Sequence, residues 1–282
     1  MIEQLKERYT VSFLCQTLDC ARSSYYYQDQ PDRADDPLLA AMEQILVRWP
    51  FYGYRRVQAQ LERQGWSVGE RRVRRLLKQL GHSRNVGPVR VRTTDSQHNG
   101  PRFPNRLKGV TLIRPDQAWM ADITFIRLGR RFIFLAVILD GYSRAVRGWA
   151  ISRRLNAEGL TIPALHMALQ HGLPTIFHSD QGSQYAAAAH LQPLLDLGVI
   201  ISMTDAGQPT QNGLVERFMR TLKEEHVDYT EYTDFTDAVG QLRQWLEVEY
   251  MTERIHSALG YATPVEFEVA ARAAYSPSLI SR

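Results

Sequence analysis

The chain has almost no cysteine. Its 282 residues hold two, Cys15 and Cys20. No second cysteine or histidine pair stands near them at zinc-finger spacing, so the expectation is reduced thiols with no disulfide framework and no structural zinc. No apolar run approaches the roughly 18 residues of a membrane span, so no membrane partner is expected. The N-terminal Met-Ile-Glu-Gln-Leu-Lys-Glu-Arg reads as a charged helix start and not as a signal peptide. There is no internal repeat and no long heptad pattern. Acidic residues are scarce in one stretch: between Arg48 and Lys108 there are 3 Asp/Glu against 15 Lys/Arg. What is present, 44% hydrophobic and 23% charged residues, suits a cytoplasmic protein of about two domains with ample core-forming material.

The net charge of +4 is unevenly placed, with 19 Lys/Arg and 11 Asp/Glu in residues 1–110. The basic stretch is nearly all arginine, the side chain that grips phosphate bidentately, so nucleic acid is the expected partner. Residues 1–81 read as a helical region. Apolar spacing gives short helices over Leu5–Leu18, Arg22–Tyr27 and Leu38–Trp49, with a linker at Gln28–Pro37. Tyr54–Gln64 is a helix broken by Gly65-Trp66. Ser67 and Glu70 stand at capping-box spacing before a second helix that Gly81 ends. That helix turns Val73, Leu76, Leu77 and Leu80 inward and carries Arg71, Arg72, Arg74, Arg75 and Lys78 on its other faces. The pair at about 54–81 fits a helix-turn-helix with those five cations as DNA contacts. An ordinary helical hairpin with a charged surface is the alternative. Residues 82–116, rich in proline and arginine, read as a basic connector that either tracks a DNA backbone or links two domains.

From Ala118 the periodicity changes. Trp119–Ile126, Phe132–Leu139 and Ala145–Ile151 read as a three-strand meander, with Asp140-Gly141 in a turn. Ala157–Gln170 and Ser183–Leu197 read as helices that alternate with strands at Thr175–Phe177 and Val199–Met203. The expected fold of 117–270 is therefore α/β, a mixed five-stranded sheet flanked by helices. Residues 271–282 are left as a tail.

Three acids stand out in segments that otherwise belong to a core. Asp122 lies inside the first strand. Asp180 lies just past the fourth, where sites of α/β sheets collect; read alone, it is a turn residue before Gly182. Glu216 borders the apolar stripe of a helix starting near Gly213, in line with Arg220 and Lys223. Burying three like charges is costly unless cations neutralise them, and hard divalent ions such as magnesium take oxygen ligands. Two such ions can clamp both oxygens of a phosphoryl displacement, so a metal-dependent enzyme acting on phosphodiesters is expected. Lys223 is placed to hold a phosphate near the metals. Asn212, in a glycine- and proline-bearing loop read as mobile, either caps the helix or contacts DNA.

Trp119-Met-Ala-Asp122-Ile-Thr, His178-Ser-Asp180-Gln-Gly-Ser-Gln-Tyr185 and Gln211-Asn-Gly-Leu-Val-Glu216, with 35 residues between Asp180 and Glu216, resemble the D,D-35-E core of retroviral-integrase-like transposases. The closest resemblance is to the second-reading-frame (OrfB) transposase of the insertion-sequence-three family, and it covers nearly the whole chain. Phe51-Tyr-Gly-Tyr-Arg-Arg-Val57, Arg72-Val-Arg-Arg-Leu-Leu77 and Arg254-Ile-His256-Ser-Ala-Leu-Gly-Tyr-Ala-Thr-Pro264 extend it. Two positions depart: Met251 stands where the family usually has asparagine, and Gln181 where a basic residue is common. Neither removes a metal ligand. The resemblance implies an RNase H-like catalytic fold in a bacterial, nucleoid-associated protein. It implies that Asp122, Asp180 and Glu216 bind two Mg2+ ions, with Mn2+ as a substitute. It also implies cleavage of element ends, attack of the freed 3′-hydroxyl on target DNA, an upstream reading-frame product as partner, and a homo-oligomer. A plain metal-dependent nuclease and a non-catalytic DNA-binding regulator of the element are the competing readings.

Overall fold

The computed structural model describes residues 2–26, 35–82, 101–205 and 208–275. The chain divides into two compact units, Met1–Ser83 and Arg84–Arg282.

The first unit is all helical: α1 (Ile2–Leu5), α2 (Val11–Thr17), α3 (Arg22–Tyr26), α4 (Asp36–Arg48), α5 (Tyr54–Arg63) and α6 (Glu70–Gln79). The apolar stretch from Leu5 to Leu18 is divided between α1 and α2, because the Thr10 hydroxyl accepts the Phe13 N–H and starts a new helix. Pro37 falls in the first turn of α4, where its fixed φ and missing N–H cost nothing. Residues 28–34 of the expected linker lie outside the described residues.

Helices α5 and α6 close on Val57, Leu61, Val73 and Leu76, all fully buried. Both end on a left-handed glycine. Gly65 (φ 88°) lets the Trp66 N–H reach the Leu61 carbonyl at 2.9 Å, and Gly81 (φ 67°) lets the His82 N–H reach Leu77 at 2.9 Å. The expected capping box is not formed. Gly69 occupies the N-cap of α6 with no side-chain bond, and Ser67 lies two residues outside it. Cys15 is buried and both thiols are free.

The second unit is built on a five-stranded sheet: β1 (Ala118–Leu128), β2 (Arg131–Asp140), β3 (Val146–Ser152), β4 (Ile176–Ser179) and β5 (Ile200–Met203), in the order β3-β2-β1-β4-β5. The β1–β2–β3 meander is antiparallel, and β4 and β5 add in parallel. Because side chains alternate across a strand, the sheet buries two different sets. Trp119, Ala121, Ala136 and Ile138 pack under α7 (Ile162–Leu169) and α8 (Ala188–Asp196). Met120, Ile126, Leu135 and Val137 pack under α9 (Gly213–Glu225) and α10 (Phe235–Arg243), with Phe218, Trp245 and Tyr250. α10 runs on into a wider, π-type winding over Gln244–Glu253, and α11 (Pro264–Tyr275) ends the described chain.

Four expectations change here. The segment expected as one helix over Ala157–Gln170 opens with a π-type turn, Ala157–Thr161, and α7 then takes Pro163 at its second position. Residues 183–187 are turn, not helix: the Tyr185 and Ala186 N–H groups both bond to the Gly182 carbonyl, so α8 starts only at Ala188. The connector does not run free to 116. Phe103, Leu107 and Leu112 pack on the sheet, and the Arg106 N–H donates to Ser202 Oγ at 2.8 Å; residues 83–100 lie outside the described residues. Helix α11 continues through the start of the expected tail, of which 276–282 lie outside the described residues. Among the described residues no helix is long and apolar enough to cross a membrane.

Gly148 sets how closely β3 meets α7. A Cβ there would lie 2.1 Å from the Ala164 carbonyl oxygen and 2.7 Å from the Ala168 nitrogen, both backbone atoms. Gly148→Ala is therefore expected to destabilise the sheet unit by about 3 kcal/mol through overpacking. Thermal melting checks this, and an unchanged melting temperature would contradict it.

Candidate active site

The register of the parallel pair builds the site. Ala121 pairs with Ser179, so Asp122 and Asp180 directly follow a paired couple, and the Asp180 charge acts on the Asp122 carboxyl; Asp122 projects to the same face as Met120. That face is the one covered by α9. β4 ends at Ser179, and Asp180 turns the chain there: its Oδ1 accepts the Gly182 N–H at 3.0 Å. The turn role expected of Asp180 and its place beside Asp122 are thus both real.

Glu216 lies in the first turn of α9 and is exposed. Lys223, two turns on along the same helix, is half-buried. Asp122 is half-buried at the base of this group. Its carboxyl is pushed up to about 8, by burial first, then by the charge of Asp180 and, more weakly, Glu216; the Ile123 N–H at 2.8 Å and the charge of Lys223 pull the other way. The structure therefore brings all four side chains into electrostatic contact around one carboxylate. Among the described residues no three acidic, histidine or cysteine side chains form a ready-made metal cage.

Asn212 departs from its expected role as a cap. It sits at the N-cap position of α9 without making a cap bond. It is buried, and its Nδ2 donates to the Ala121 carbonyl at 3.1 Å. It thereby fastens the start of Glu216's helix to the strand residue preceding Asp122. The loop ahead of it is tied at its base, where Gln211 Nε2 donates to Asp205 Oδ2 at 2.8 Å and Gln211 Oε1 accepts the Asp205 N–H at 2.7 Å. Residues 206–207 lie outside the described residues.

Tyr185 stands at the end of a sequence motif, but sequence reasoning gave it no role. Tyr185 is buried, and its hydroxyl is held well above its ordinary value by burial and by the charges of Asp122 and Asp180. It lies in an irregular turn, where no periodicity marks a side chain as facing a site. The Tyr185 hydroxyl and Asn212 Oδ1 are buried without hydrogen-bond partners among the described residues. Crowded carboxylates beside orphaned polar atoms suit a hydrated divalent cation, whose ligands are oxygens and whose waters need acceptors. The residues present therefore fit magnesium.

The two departures from the family pattern have structural work. Gln181 Nε2 donates to the Thr204 carbonyl at 2.8 Å, joining the ends of β4 and β5. Met251 Sδ receives the Val146 N–H at 3.2 Å. Asp140, expected as a turn residue, accepts the Tyr142 and Ser143 N–H groups.

On the first unit the cations of α6 differ in their surroundings. Arg72 Nε and an Arg75 guanidinium nitrogen each donate to the buried Asp35 at 2.7 Å. Arg74 pairs with Glu70 at 2.8 Å and lies 3.9 Å from the Tyr54 ring centroid. Arg71 and Lys78 are exposed. The sequence presented five equivalent cations; a carboxylate 37 residues before Arg72 was not legible as their partner.

Comparison with known proteins agrees with this architecture. Two integrase core domain models match residues 113–209 and 197–264, and an HTH-like domain model matches 33–85. A 31 kDa protein of insertion element IS600 from Shigella sonnei is 33% identical, covering 90% of this chain and 97% of that protein. The transposase InsF of insertion sequence IS3A from Escherichia coli K12 is 30% identical, covering 95% and 96%. Among solved structures, a simian T-cell lymphotropic virus intasome chain aligns with a TM-score of 0.49 and 22% identity, over 79% of this chain and 72% of that chain. With near-complete coverage of both sequences at this identity, the chain belongs to the family of IS3 transposases, an integrase core domain preceded by an HTH-like domain.

Proposed function

We propose that this chain is the catalytic subunit of a DNA transposase, which cleaves insertion-element ends and joins the freed 3′-hydroxyl to target DNA. Two magnesium ions, replaceable by manganese, would be held by Asp122, Asp180 and Glu216. The observation that carries this reading is the β1–β4 register, which sets two aspartates side by side under the helix bearing Glu216.

When bound, a pair of such ions supplies charge stabilisation to the attacking and leaving oxygens of a phosphodiester displacement. The chain's own residues do the rest. Asp122 and Asp180 anchor one side of the site from neighbouring strands, and Glu216 enters from α9. Asn212 keeps that helix in place against β1, so the acids hold their relative positions through the reaction. Lys223 offers a cation to a phosphate oxygen. Exposed Arg71 and Lys78 of α6 contribute phosphate contacts from the helical unit. No covalent enzyme intermediate is needed, so no nucleophilic serine, cysteine or tyrosine has a part. Two element ends must be held at once, which calls for at least a dimer, and the upstream reading-frame product is the expected partner for recognising them.

The test is strand joining on a labelled element-end oligonucleotide with magnesium, wild type beside Glu216→Gln, with the upstream product added. Joined products from wild type should fall more than about a hundredfold in the variant, with DNA binding retained. Cleavage without joining would replace this reading with a nuclease. Binding that ignores both magnesium and Glu216→Gln, with no chemistry, would leave a regulator.

A further inference from the structure

The β1–β2 ribbon continues past the candidate site. β4 pairs with β1 only over Ala118–Ala121, and β3 pairs with β2 only from Phe134 onward. Beyond Asp122, therefore, the two strands project as a hairpin whose tip, Gly129-Arg130, stands seven and eight residues further on. At about 3.3 Å per residue the tip lies roughly 25 Å from Asp122, about the length of seven base pairs of duplex.

The composition of this ribbon is unusual. Arg127, Arg130 and Arg131 are all exposed, and Arg153 and Arg154 follow directly on Ser152, which pairs with Phe134. Neither Ile123–Leu135 nor Ala150–Asn156 contains an acidic residue. Among the described residues none of these five arginines has a carboxylate partner; Arg127 Nε donates to the Gly129 carbonyl, and Arg153 rests on the Phe235 ring at 4.6 Å. Between the arginines stand aromatic rings that the core does not take. Phe125 and Phe132 are 38% and 58% exposed, with centroids 6.4 Å apart, and Phe125 also meets Phe134 at 5.2 Å. An edge that carries several unneutralised guanidinium groups and exposed rings is poorly suited to water and well suited to a polyanion with flat apolar faces.

We infer that this hairpin is the surface on which the catalytic unit seats target DNA. The inference rests on the proposed transposase reading and adds to it the strand that this surface holds. From Phe125 to Phe134 the ribbon reads Phe-Ile-Arg-Leu-Gly-Arg-Arg-Phe-Ile-Phe. It offers guanidinium groups for phosphates and rings for sugars or unstacked bases. It has no Asn, Gln, Asp or Glu to read adenine or cytosine edges. Its arginines can bond guanine edges but no side chain reads the other bases, so it fits best the DNA whose sequence need not be recognised, which is the target and not the element end.

Two variants test this, Arg130→Ala/Arg131→Ala and Phe132→Ala. All three side chains are exposed near the tip, so circular dichroism melts should match wild type. In EDTA, fluorescence anisotropy with a random-sequence duplex should show the double variant binding about tenfold more weakly at moderate salt. The slope of log affinity against log salt should be shallower by about 2. With magnesium, precleaved ends and plasmid target, joining should drop about tenfold in both variants, while cleavage at element ends stays within twofold. Unchanged affinity and slope would overturn the inference, whether or not the wild type joins strands. Equal losses of cleavage and joining would move the hairpin to the element end and overturn the target assignment. A wild type that binds through the hairpin but never joins strands would instead remove the transposase reading.

Discussion

Asp122→Asn is expected to abolish strand joining and, in the absence of metal, to raise the melting temperature. The two effects share one cause. The Asp122 carboxyl is pushed up to about 8 by burial and by the nearby charges of Asp180 and Glu216. The folded chain therefore binds a proton there that the unfolded chain releases near its ordinary value. The stability associated with that proton is fully present below about pH 4 and is lost as pH rises to about 8. Asparagine keeps the shape and removes the charge, so the variant escapes this loss. After discount for the partial exposure of the site, about 1–2 kcal/mol of relief remains at pH 8, or roughly 3–8 °C. The gap between variant and wild type should widen from pH 5 to pH 8. Magnesium should narrow it, because ligand binding stabilises only the wild type. Joining should fall by more than about a hundredfold, since the lost group is a proposed ligand. A variant that melts lower than wild type without metal, or that joins strands normally, would contradict this account of the site.

Arg147→Met is expected to lower the stability of the sheet unit strongly. Arg147 is 3% exposed on β3. Its Nε donates to Asp116 at 2.8 Å, its guanidinium reaches Glu268 of α11 at 3.0 Å, and Asp140 lies at 3.6 Å. Although burial pushes the Glu268 carboxyl up, the hydrogen bond and charge of Arg147 outweigh it and hold that carboxyl below its ordinary value. Methionine fills much of the volume but removes the guanidinium shared by Asp116, Asp140 and Glu268, leaving Glu268 only the exposed Arg272 at 3.8 Å, and stranding buried acids in this way costs about 3–5 kcal/mol. For a unit of this size the melting temperature should drop by roughly 10 °C or more. Glu268→Leu added to Arg147→Met should recover part of that loss, because one of the stranded charges is then gone. A single variant within 2 °C of wild type, or a double variant no better than the single, would show that the network is not what ties α11 to β3. No residue of this network is a proposed metal ligand, so the double variant should regain joining in step with its fold.

Much of this protein was open to reading from its sequence. The strand residues follow their apolar runs because a central strand buried on both faces must be apolar throughout, as in Leu135–Leu139. The helix pair of the first unit follows from its 3.6-residue spacing and its two terminal glycines. Asp122 was conspicuous because a carboxylate between Ala121 and Ile123 in a buried strand has no inexpensive structural explanation.

Other features depended on residues far apart in the chain. Asn212 looked like a cap and is a tie to β1, since its partner is a backbone carbonyl 91 residues earlier. Arg72 and Arg75 looked like Arg71, and only the fold brings Asp35 to them. Tyr185 closed a motif, but nothing showed which way its side chain faces, because a turn carries no periodicity. The pairing of Asp122 with Asp180 depended on whether β4 lies beside β1, in parallel and in register, which neither strand encodes alone. Periodicity, composition and local turn chemistry act over a few residues, so the sequence by itself determined which segments form strands and helices and which acids needed explaining. Register, long-range hydrogen bonds and buried ion pairs arise only when distant segments meet, and for that reason the tertiary structure alone decided which of those residues share a site.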